Sequence, residues 1–251
     1  MKYISSSAGT LSFIQLVSTV LTVGGLFYFD FSLAAWITMG VFYFLYSGIG
    51  VSMMLHRYWS HRSFEFKSNT VKWICTWFGL MSGRGSIIGW VHVHREHHKY
   101  SDTENDPHAP KHKRWRIFFP HLLNYGKSIN KFLVRDLIND EQLHINKYYL
   151  LYVLAWALLL LAIDPWLLYF GWIVPVALTQ FILNSFIYFG HSVGYTNYTS
   201  NNDSKNLWPF GLLFWGEGWH NNHHKNPGKW NNQVNWWEID PIAWVIRIVK
   251  K

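Results

Sequence analysis

Four long apolar segments without acidic or basic residues dominate the hydropathy pattern of the chain. They form two pairs, and the members of each pair are separated only by Asp30-Phe31-Ser32 or by Asp164-Pro165. A transmembrane helix needs about 20 consecutive apolar residues. The pattern therefore predicts an all-α integral membrane protein with four transmembrane helices in two hairpins. The predicted spans are residues 11–29, 33–55, 148–163 and 166–190.

The section between the two hairpins, residues 56–147, is polar and holds 15 of the 22 Lys and Arg residues. Neither hairpin turn contains Lys or Arg, whereas this section and both chain ends do. Because Lys and Arg accumulate on the cytoplasmic side of a membrane protein, this section and both termini are predicted to be cytoplasmic. Together with residues 191–251, the section would form a helical cap, and residues 1–251 are interpreted as a single membrane domain.

Two parts of the predicted cap have a helical pattern of their own. Residues 71–91 are apolar but interrupted by Lys72, Arg84 and several glycines, which makes them a poor span. We expect this segment at the membrane interface or packed within the cap. Residues 111–147 combine basic and aromatic side chains and predict an amphipathic helix at the level of the lipid headgroups.

The composition agrees with a membrane protein that also has a large aqueous part. Half of the residues are apolar, 19% are aromatic and only 14% are charged, which departs from the usual soluble mixture. The mean hydropathy is nevertheless near zero, so polar segments must balance the apolar spans. The formal net charge of +8 is attributed to cytoplasmic Lys and Arg near anionic lipid rather than to nucleic-acid binding.

Two histidine clusters have the spacing HxxHH. On a helix, residues at i, i+3 and i+4 share one face, so each cluster presents three imidazoles together. The two clusters are His94-Arg95-Glu96-His97-His98 and His220-Asn221-Asn222-His223-His224.

A third cluster, His56 and His61, lies at the end of the second predicted span. Residues five apart point in different directions from a regular helix. We therefore expect the helix to end or loosen near Trp59 and Ser60, so that His61 can turn back towards the site.

The three clusters predict a metal site. Imidazole nitrogen suits iron, zinc or copper, and the single Cys75 excludes a cysteine-based zinc site. Eight histidines exceed what one ion can accept, so two metal ions are the economical hypothesis, with His191 at the end of the last span as a ninth ligand. His92 stays unassigned. The other histidines are interpreted as packing or interfacial residues: His108, His112, His121 and His144.

The residues described so far resemble a known family. HRYWSHRSF, WVHVHREHHKYSDTENDPH and GEGWHNNHH are similar to the three histidine boxes of membrane fatty acyl desaturases, in particular the delta-9 group. HSVGYTNY, which begins at His191, and WWEIDP near the end of the chain resemble further elements of that family. The resemblance extends over residues 42–249 with the boxes in the same order.

The resemblance implies a mushroom-shaped protein with four membrane helices and a cytoplasmic cap that holds a di-iron centre. It implies an oxygen-dependent desaturase that introduces a cis double bond, at the delta-9 position, into a saturated acyl chain linked to CoA or lipid. The cofactors would be two iron ions, with O2 as co-substrate. The implied ligands are His56, His61, His94, His97, His98, His191, His220, His223 and His224.

Further residues are candidates for supporting roles. The acids nearest the boxes, Asp102, Asp106 and Glu217, would orient the imidazoles by accepting their second ring hydrogen. Trp90 occupies the position of a tunnel-wall residue in the family. Aromatic residues of the second predicted span are further candidates for a substrate tunnel: Phe42, Phe44 and Tyr46.

The sequence departs from the family pattern at two places. The family usually has an Asn four residues before the position of His191, where it holds a metal-bound water, whereas this chain has Ile187. Asn184, one helical turn earlier, is the candidate to replace it. Animal acyl-CoA desaturases have Arg and Asp where this chain has His92 and Val93, so the chain looks more like the bacterial relatives.

The electrons for such a reaction would come from another protein, because the chain has no flavin or dinucleotide glycine motif and no haem-binding domain. A ferredoxin or a cytochrome b5-like protein fits, and a basic cap would favour an acidic partner. The other expected partners are the acyl substrate and membrane lipid, with no nucleic acid.

Two other functions are compatible with the same motifs. A di-iron hydroxylase or ketolase would use the same site and differ only after the first hydrogen is removed. A non-catalytic protein that binds or transports metal is less favoured, because such a protein needs ionisable groups within its spans, and these spans are almost free of charge.

Overall fold

The structure is a computed structural model that describes residues 8–119 and 129–251; His121 lies outside these ranges. In the described residues the protein is helical and contains no strand, only isolated bridges such as the one between Phe66 and Lys250. The prediction of an all-helical chain is confirmed for this part of the protein. The helices are α1 (Ala8–Gly25), α2 (Leu33–Tyr43), α3 (Asn69–Met81), α4 (Ile87–Tyr100), α5 (Pro110–Lys113), α6 (Asp140–Ile163), α7 (Pro165–Leu168), α8 (Val174–Phe189), α9 (Trp208–Leu213), α10 (His220–Lys225) and α11 (Pro241–Val249).

Two π-helical segments extend these helices. The first, Phe44–Ser60, continues α2 and is called the long π segment below, and the second, Tyr169–Ile173, joins α7 to α8. Short 3-10 turns occur at Arg114–Phe118 and Arg135–Leu137.

Three helices in the described residues are long and apolar enough to cross a membrane: Leu33–Ser60, Glu141–Ile163 and Pro165–Phe189. The first of these continues beyond the apolar run to reach His56. The second starts before the apolar run, because the side chain of Asn139 caps the helix by accepting a hydrogen bond from the Gln142 N–H. Helix α1 corresponds to the first predicted span. Its apolar part, Phe13–Gly25, is shorter than the other three helices.

The segment 71–91 contributes to two consecutive helices, α3 and α4, each of which packs along the long π segment. In the middle of α3, Thr76 Oγ1 accepts a hydrogen bond from Trp59 Nε1. Further along, the two backbones touch, because a Cβ added to Gly50 would lie 2.7 Å from the carbonyl oxygen of Phe78. Glycine therefore makes this close contact possible.

The connection between α3 and α4 contacts the last long helix. Trp172 Nε1 donates to the carbonyl of Met81, and Gln180 Nε2 donates to the carbonyl of Gly83, both at 2.9 Å. The segment, which we expected at the membrane interface or packed within the cap, packs against the long helices. Arg84, which made the segment a poor span, is buried there and donates to Gln180 Oε1.

The prediction of an amphipathic helix over residues 111–147 is wrong for residues 114–119 and 129–139, which hold only 3-10 turns and irregular structure, whereas residues 140–147 are helical. The α-helix α5 ends at Lys113, where Arg114 takes a positive φ of 50°. A positive φ is incompatible with a continuing right-handed helix. Apart from the 3-10 turns, regular structure in this described stretch resumes only at Asp140, where α6 begins.

Candidate metal centre

The nine histidines predicted as ligands converge from four places in the fold. His56 lies in the long π segment and His61 directly follows it, α4 contributes three, His191 lies two residues after the end of α8, and α10 contributes three. They fall into two groups, within each of which the ligand atoms lie within 4.8 Å of one another. The first group is His56, His61, His94, His98 and His223; the second is His97, His191, His220 and His224.

The π-helical backbone explains how His56 and His61 meet. The His61 N–H donates to the carbonyl of His56 at 3.2 Å, the i to i+5 bond of a π-helix. The ring centroids of the two residues are therefore only 5.0 Å apart. The helix does end at Ser60, where we expected it to end or loosen.

The helices that present the other boxes have defined starts. The Ser86 hydroxyl accepts a hydrogen bond from the Gly89 N–H and caps α4. Before α10, Gly216 has a φ of +99°, and a Cβ added to Gly218 would lie 2.2 Å from the Gly211 nitrogen. The turn before the third box therefore requires both glycines of the GEG sequence.

Within the groups, the Nε2 atoms of the imidazoles face one another. In the first group, His61 and His94 approach to 2.6 Å, and His223 lies 3.0 Å from both His56 and His98. In the second group, the Nε2 atoms of His191 and His220 are 2.8 Å apart, and the Nε2 atom of His224 lies 3.0 Å from that of His220 and 3.3 Å from that of His97.

Three carboxylates contact the Nδ1 atoms of imidazoles whose Nε2 atoms face the centre. Glu217 Oε2 lies 2.5 Å from His56 Nδ1. Asp106 Oδ2 lies 2.9 Å from His97 Nδ1, and Asp102 Oδ2 lies 3.0 Å from His191 Nδ1. These are the three acids that the sequence marked as candidates for orienting imidazoles.

This arrangement of donors fits metal ions. A carboxylate accepts the proton of Nδ1, so the Nε2 atoms of His56, His97 and His191 carry a lone pair in the neutral ring. Lone pairs that face one another in a buried site can be shared with a cation between them, and an imidazole whose other nitrogen donates to a carboxylate is the usual metal-bound form. Each of the two groups could therefore hold a metal ion.

The protonation states agree with this interpretation. Burial, reinforced by the neighbouring histidines, lowers the pKa of six of the rings well below the ordinary value. They are neutral near pH 7, which is the form that binds a metal. These rings belong to His61, His94, His98, His220, His223 and His224.

The acids stay ionised despite their burial. Burial alone would raise the pKa of Glu217, but His56 and Arg57 beside it lower the pKa to about 2. Burial would also raise the pKa values of Asp102 and Asp106, and their bonds to His191 and His97 outweigh it and lower both. Three ionised carboxylates therefore lie against the Nδ1 side of His56, His97 and His191, opposite the Nε2 atoms that face one another.

A cavity of about 870 Å³, its opening to solvent included, reaches the histidines from the side of the long helices. Five of the nine histidines line it: His56, His94, His97, His191 and His220. Its other walls are mostly apolar and include Val51, Trp90, Val93, Leu183 and Phe186. Such a cavity suits an apolar chain next to a polar reactive centre.

The candidates for the tunnel wall differ in position. Trp90 lines the cavity, whereas the structure does not place Phe42, Phe44 or Tyr46 on its wall. Phe44 packs on Trp215 with ring centroids 4.9 Å apart. Tyr46 packs on Phe42 and donates its hydroxyl hydrogen to the carbonyl of Gly171.

Ile187 and Asn184 also take different positions on α8. Ile187 lines the cavity next to the histidines. Asn184 is buried, and its Nδ2 atom has no partner in the described part of the protein, but the residue is not on the cavity wall. Ile187, and not Asn184, therefore lines the cavity beside the histidines.

The histidines outside the nine have separate environments. His92 Nε2 accepts a hydrogen bond from the Asn130 N–H, the ring of His112 contacts the carbonyl of Asp102, and His144 packs on Tyr148. His108 is different, because it is buried on the cavity wall and stacks on His97 at 4.4 Å. Burial, with a contribution from His97, lowers its pKa to about 3.

Sequence reasoning missed two residues that support the site. Arg57 is buried between Glu217 and Asp240, with its guanidinium within 3.0 Å of one oxygen of each. The two missed residues are Arg57 and Asp240. Arg57 could have been found as a charge directly after His56, and Asp240 as the aspartate of the WWEIDP sequence. A third missed residue is His108, which the sequence analysis interpreted as a packing or interfacial residue but which lies on the cavity wall.

Comparison with known proteins gives consistent results. A family model described as fatty acid desaturase matches residues 30–248. The sn-1 stearoyl-lipid 9-desaturase of Anabaena variabilis is 33% identical over 239 residues, which cover 90% of this chain and 85% of the relative. The protein of the same name from Synechocystis sp. is 34% identical over 84% of this chain and 68% of the relative. Delta-9 acyl-lipid desaturase 2 of Arabidopsis thaliana is 31% identical over 88% of this chain and 72% of the relative.

Proposed function

The chain belongs to the fatty acid desaturase family, and from this premise we propose that it is an oxygen-dependent delta-9 desaturase of lipid-linked acyl chains. The observation that carries the proposal is the pair of facing imidazole groups at the wall of an apolar cavity. The relatives named as acyl-lipid 9-desaturases support both the bond position and the lipid linkage. His92 and Val93, in place of the Arg and Asp of animal acyl-CoA desaturases, favour the same linkage.

The two groups of histidines would hold two iron ions. With O2, these ions would supply the oxidising power needed to remove hydrogen from an unactivated methylene, which no side chain provides. The residues of the chain would hold the imidazoles in position and exclude water from the centre. Glu217, Asp106 and Asp102 fix the orientation of the imidazoles, and the apolar wall with Trp90 and Leu183 keeps water away and places one carbon pair beside the centre.

The proposed membrane arrangement has four spans with the metal centre and both termini on the cytoplasmic side. Three helices meet the requirement of length, and α1 supplies the fourth. It packs against α8, and Tyr169 donates its hydroxyl hydrogen to the carbonyl of Thr22. The other side of α1 exposes large apolar side chains such as Phe13, Leu16 and Val20, as expected for contact with lipid.

We expect the protein to form cis-9 monounsaturated acyl chains in membrane lipid. The test is expression, with a working electron donor, in a host that lacks its own desaturase, followed by fatty-acid methyl ester analysis of separated lipid classes. His144→Gln is the matched control, because His144 belongs to neither imidazole group and should keep full activity. An oxygenated chain would instead support a hydroxylase or ketolase, and a protein that binds iron without any product would support metal storage.

Asp106→Asn is expected to weaken iron binding by the second group. Asp106 is fully buried and its Oδ2 accepts from His97 Nδ1, and loss of such an outer partner typically lowers metal affinity about 10–100-fold. The measurement is iron retained by the purified protein against increasing chelator. Glu104→Gln, an exposed acid two residues away, should retain iron as the parent does, and equal retention by the two variants would contradict the assignment.

A further inference from the structure

The metal centre has two sides. Five of its histidines line the cavity, and the other four, His61, His98, His223 and His224, do not. Three of these four, His61, His98 and His224, are partly exposed, whereas His223 is buried. The side of the centre away from the cavity is therefore reachable from solvent.

The exposed side includes a stacked pair that belongs to both imidazole groups. The rings of His98 and His224 have centroids 4.4 Å apart and an interplanar angle of 18°. His98 belongs to the first group and contacts His223 through Nε2 at 3.0 Å. His224 belongs to the second group and contacts His220 at 3.0 Å. One solvent-facing edge thus connects directly to both proposed metal positions.

Positive charge borders this edge. Lys99 directly follows His98, Lys225 directly follows His224, and both lysines are exposed. Lys229, four residues after Lys225, is exposed as well. These charges attract an acidic protein surface, and electrostatic steering of this kind governs association rates more than affinity.

We propose that an acidic one-electron carrier protein docks over the stacked pair His98–His224, guided by Lys99 and Lys225, and passes its electrons through these two imidazoles. This inference rests on the proposed desaturase function and adds the place where electrons enter. The acyl chain occupies the cavity on the other side, so substrate and carrier do not compete for space. Electron-transfer complexes have small interfaces, so a few charges at the rim have a large effect on the association of the carrier.

The electron balance requires such a partner. Removing two hydrogens from a CH2–CH2 unit gives two electrons and two protons, and reducing O2 to two waters takes four of each. Two further electrons come from two molecules of reduced carrier, each oxidised by one electron at this edge. The two further protons come from solvent.

The test uses the purified full-length protein loaded with iron and reduced plant-type [2Fe–2S] ferredoxin as the acidic carrier. For the double variant Lys99→Glu with Lys225→Glu, the second-order rate of reduction by ferredoxin at low salt should fall about tenfold or more. The difference from the parent should shrink as salt screens the charges. Single-turnover desaturation after reduction by a small uncharged reductant, such as photoreduced deazaflavin, should be unchanged.

The matched control is Lys67→Glu with Lys251→Glu, which makes the same change of net charge next to the bridge between Phe66 and Lys250. It should be reduced by ferredoxin at the parent rate. A neutralising variant, Lys99→Gln with Lys225→Gln, should be reduced by ferredoxin at an intermediate rate. The iron content of each variant is measured as well, to verify that it is folded. Equal slowing by both charge reversals, or no slowing by the first, would overturn the docking site. Absence of any alkene with the uncharged reductant would instead refute the desaturase function itself.

Discussion

Replacing His223 by alanine is expected to abolish desaturation and to remove iron from the first group. His223 is 1% exposed, and its Nε2 lies 3.0 Å from the Nε2 atoms of both His56 and His98. Its loss removes the imidazole that stands between two others. Because loss of an outer partner alone typically costs about 10–100-fold in metal affinity or activity, loss of a ligand should lower activity by at least about 100-fold.

The measurement combines iron per chain by elemental analysis with the yield of alkene in the same preparation. His144→Ala is the control, since its ring packs on Tyr148 and Tyr152 away from both groups. The His144→Ala control also removes one imidazole, from helix α6. If His223→Ala kept two iron ions and an activity within a few-fold of the control, the assignment of His223 as a ligand would be incorrect.

Replacing Arg57 by methionine is expected to produce the largest loss of stability. The guanidinium is 1% exposed, with Nη1 2.8 Å from Asp240 Oδ2 and Nη2 3.0 Å from Glu217 Oε1. Methionine fills similar space but leaves two buried carboxylates without their cation. Breaking a buried ion pair in this way typically costs about 3–5 kcal/mol.

Arg62→Met provides the matched comparison five residues along the chain. Its ion pair with Asp136 is exposed, with 39% and 37% of the two side chains accessible, and exposed pairs contribute about 0–1 kcal/mol. The free energy of unfolding of both variants can be measured by denaturant titration in mixed micelles. Equal losses would show that the buried triad does not stabilise the fold in the way its geometry indicates.

Arg57→Met should also affect the metal centre. Glu217 accepts from both Arg57 and His56, so a Glu217 that has lost its cation is less well held. Part of the pH range over which Glu217 stays ionised depends on this arginine, because Arg57 helps to lower its pKa to about 2. We therefore expect reduced iron in the first group together with the loss of stability.

Much of the candidate site could be read from spacing along the chain. The HxxHH pattern needs only a helix to place three imidazoles on one face, and α4 and α10 are such helices. The acids Asp102, Asp106 and Glu217 were selected because they are near the boxes, and the structure places each of them on an imidazole. Their contacts are local consequences of short segments that fold as helices and capped turns.

Predictions that depended on packing between segments were less successful. Residues 71–91 pack along the long π segment, where Gly50 and Gly79 let two backbones touch, and hydropathy does not reveal this contact. Phe42, Phe44 and Tyr46 were chosen by composition of a span, and their side chains pack on other aromatic residues instead of lining the cavity. His108 lies on the cavity wall although nothing in its own spacing distinguishes it from His112.

The sequence by itself determined which histidines stand together on each helix and which segments are apolar enough for a membrane, since both follow from the periodicity of neighbouring residues. Only the tertiary structure decided how the nine imidazoles divide. His97 separates from His94 and His98 on the same helix, and His223 separates from His220 and His224. A helical face spans a range of directions, so the positions of the other histidine-bearing segments around α4 and α10 determine which group each ring joins.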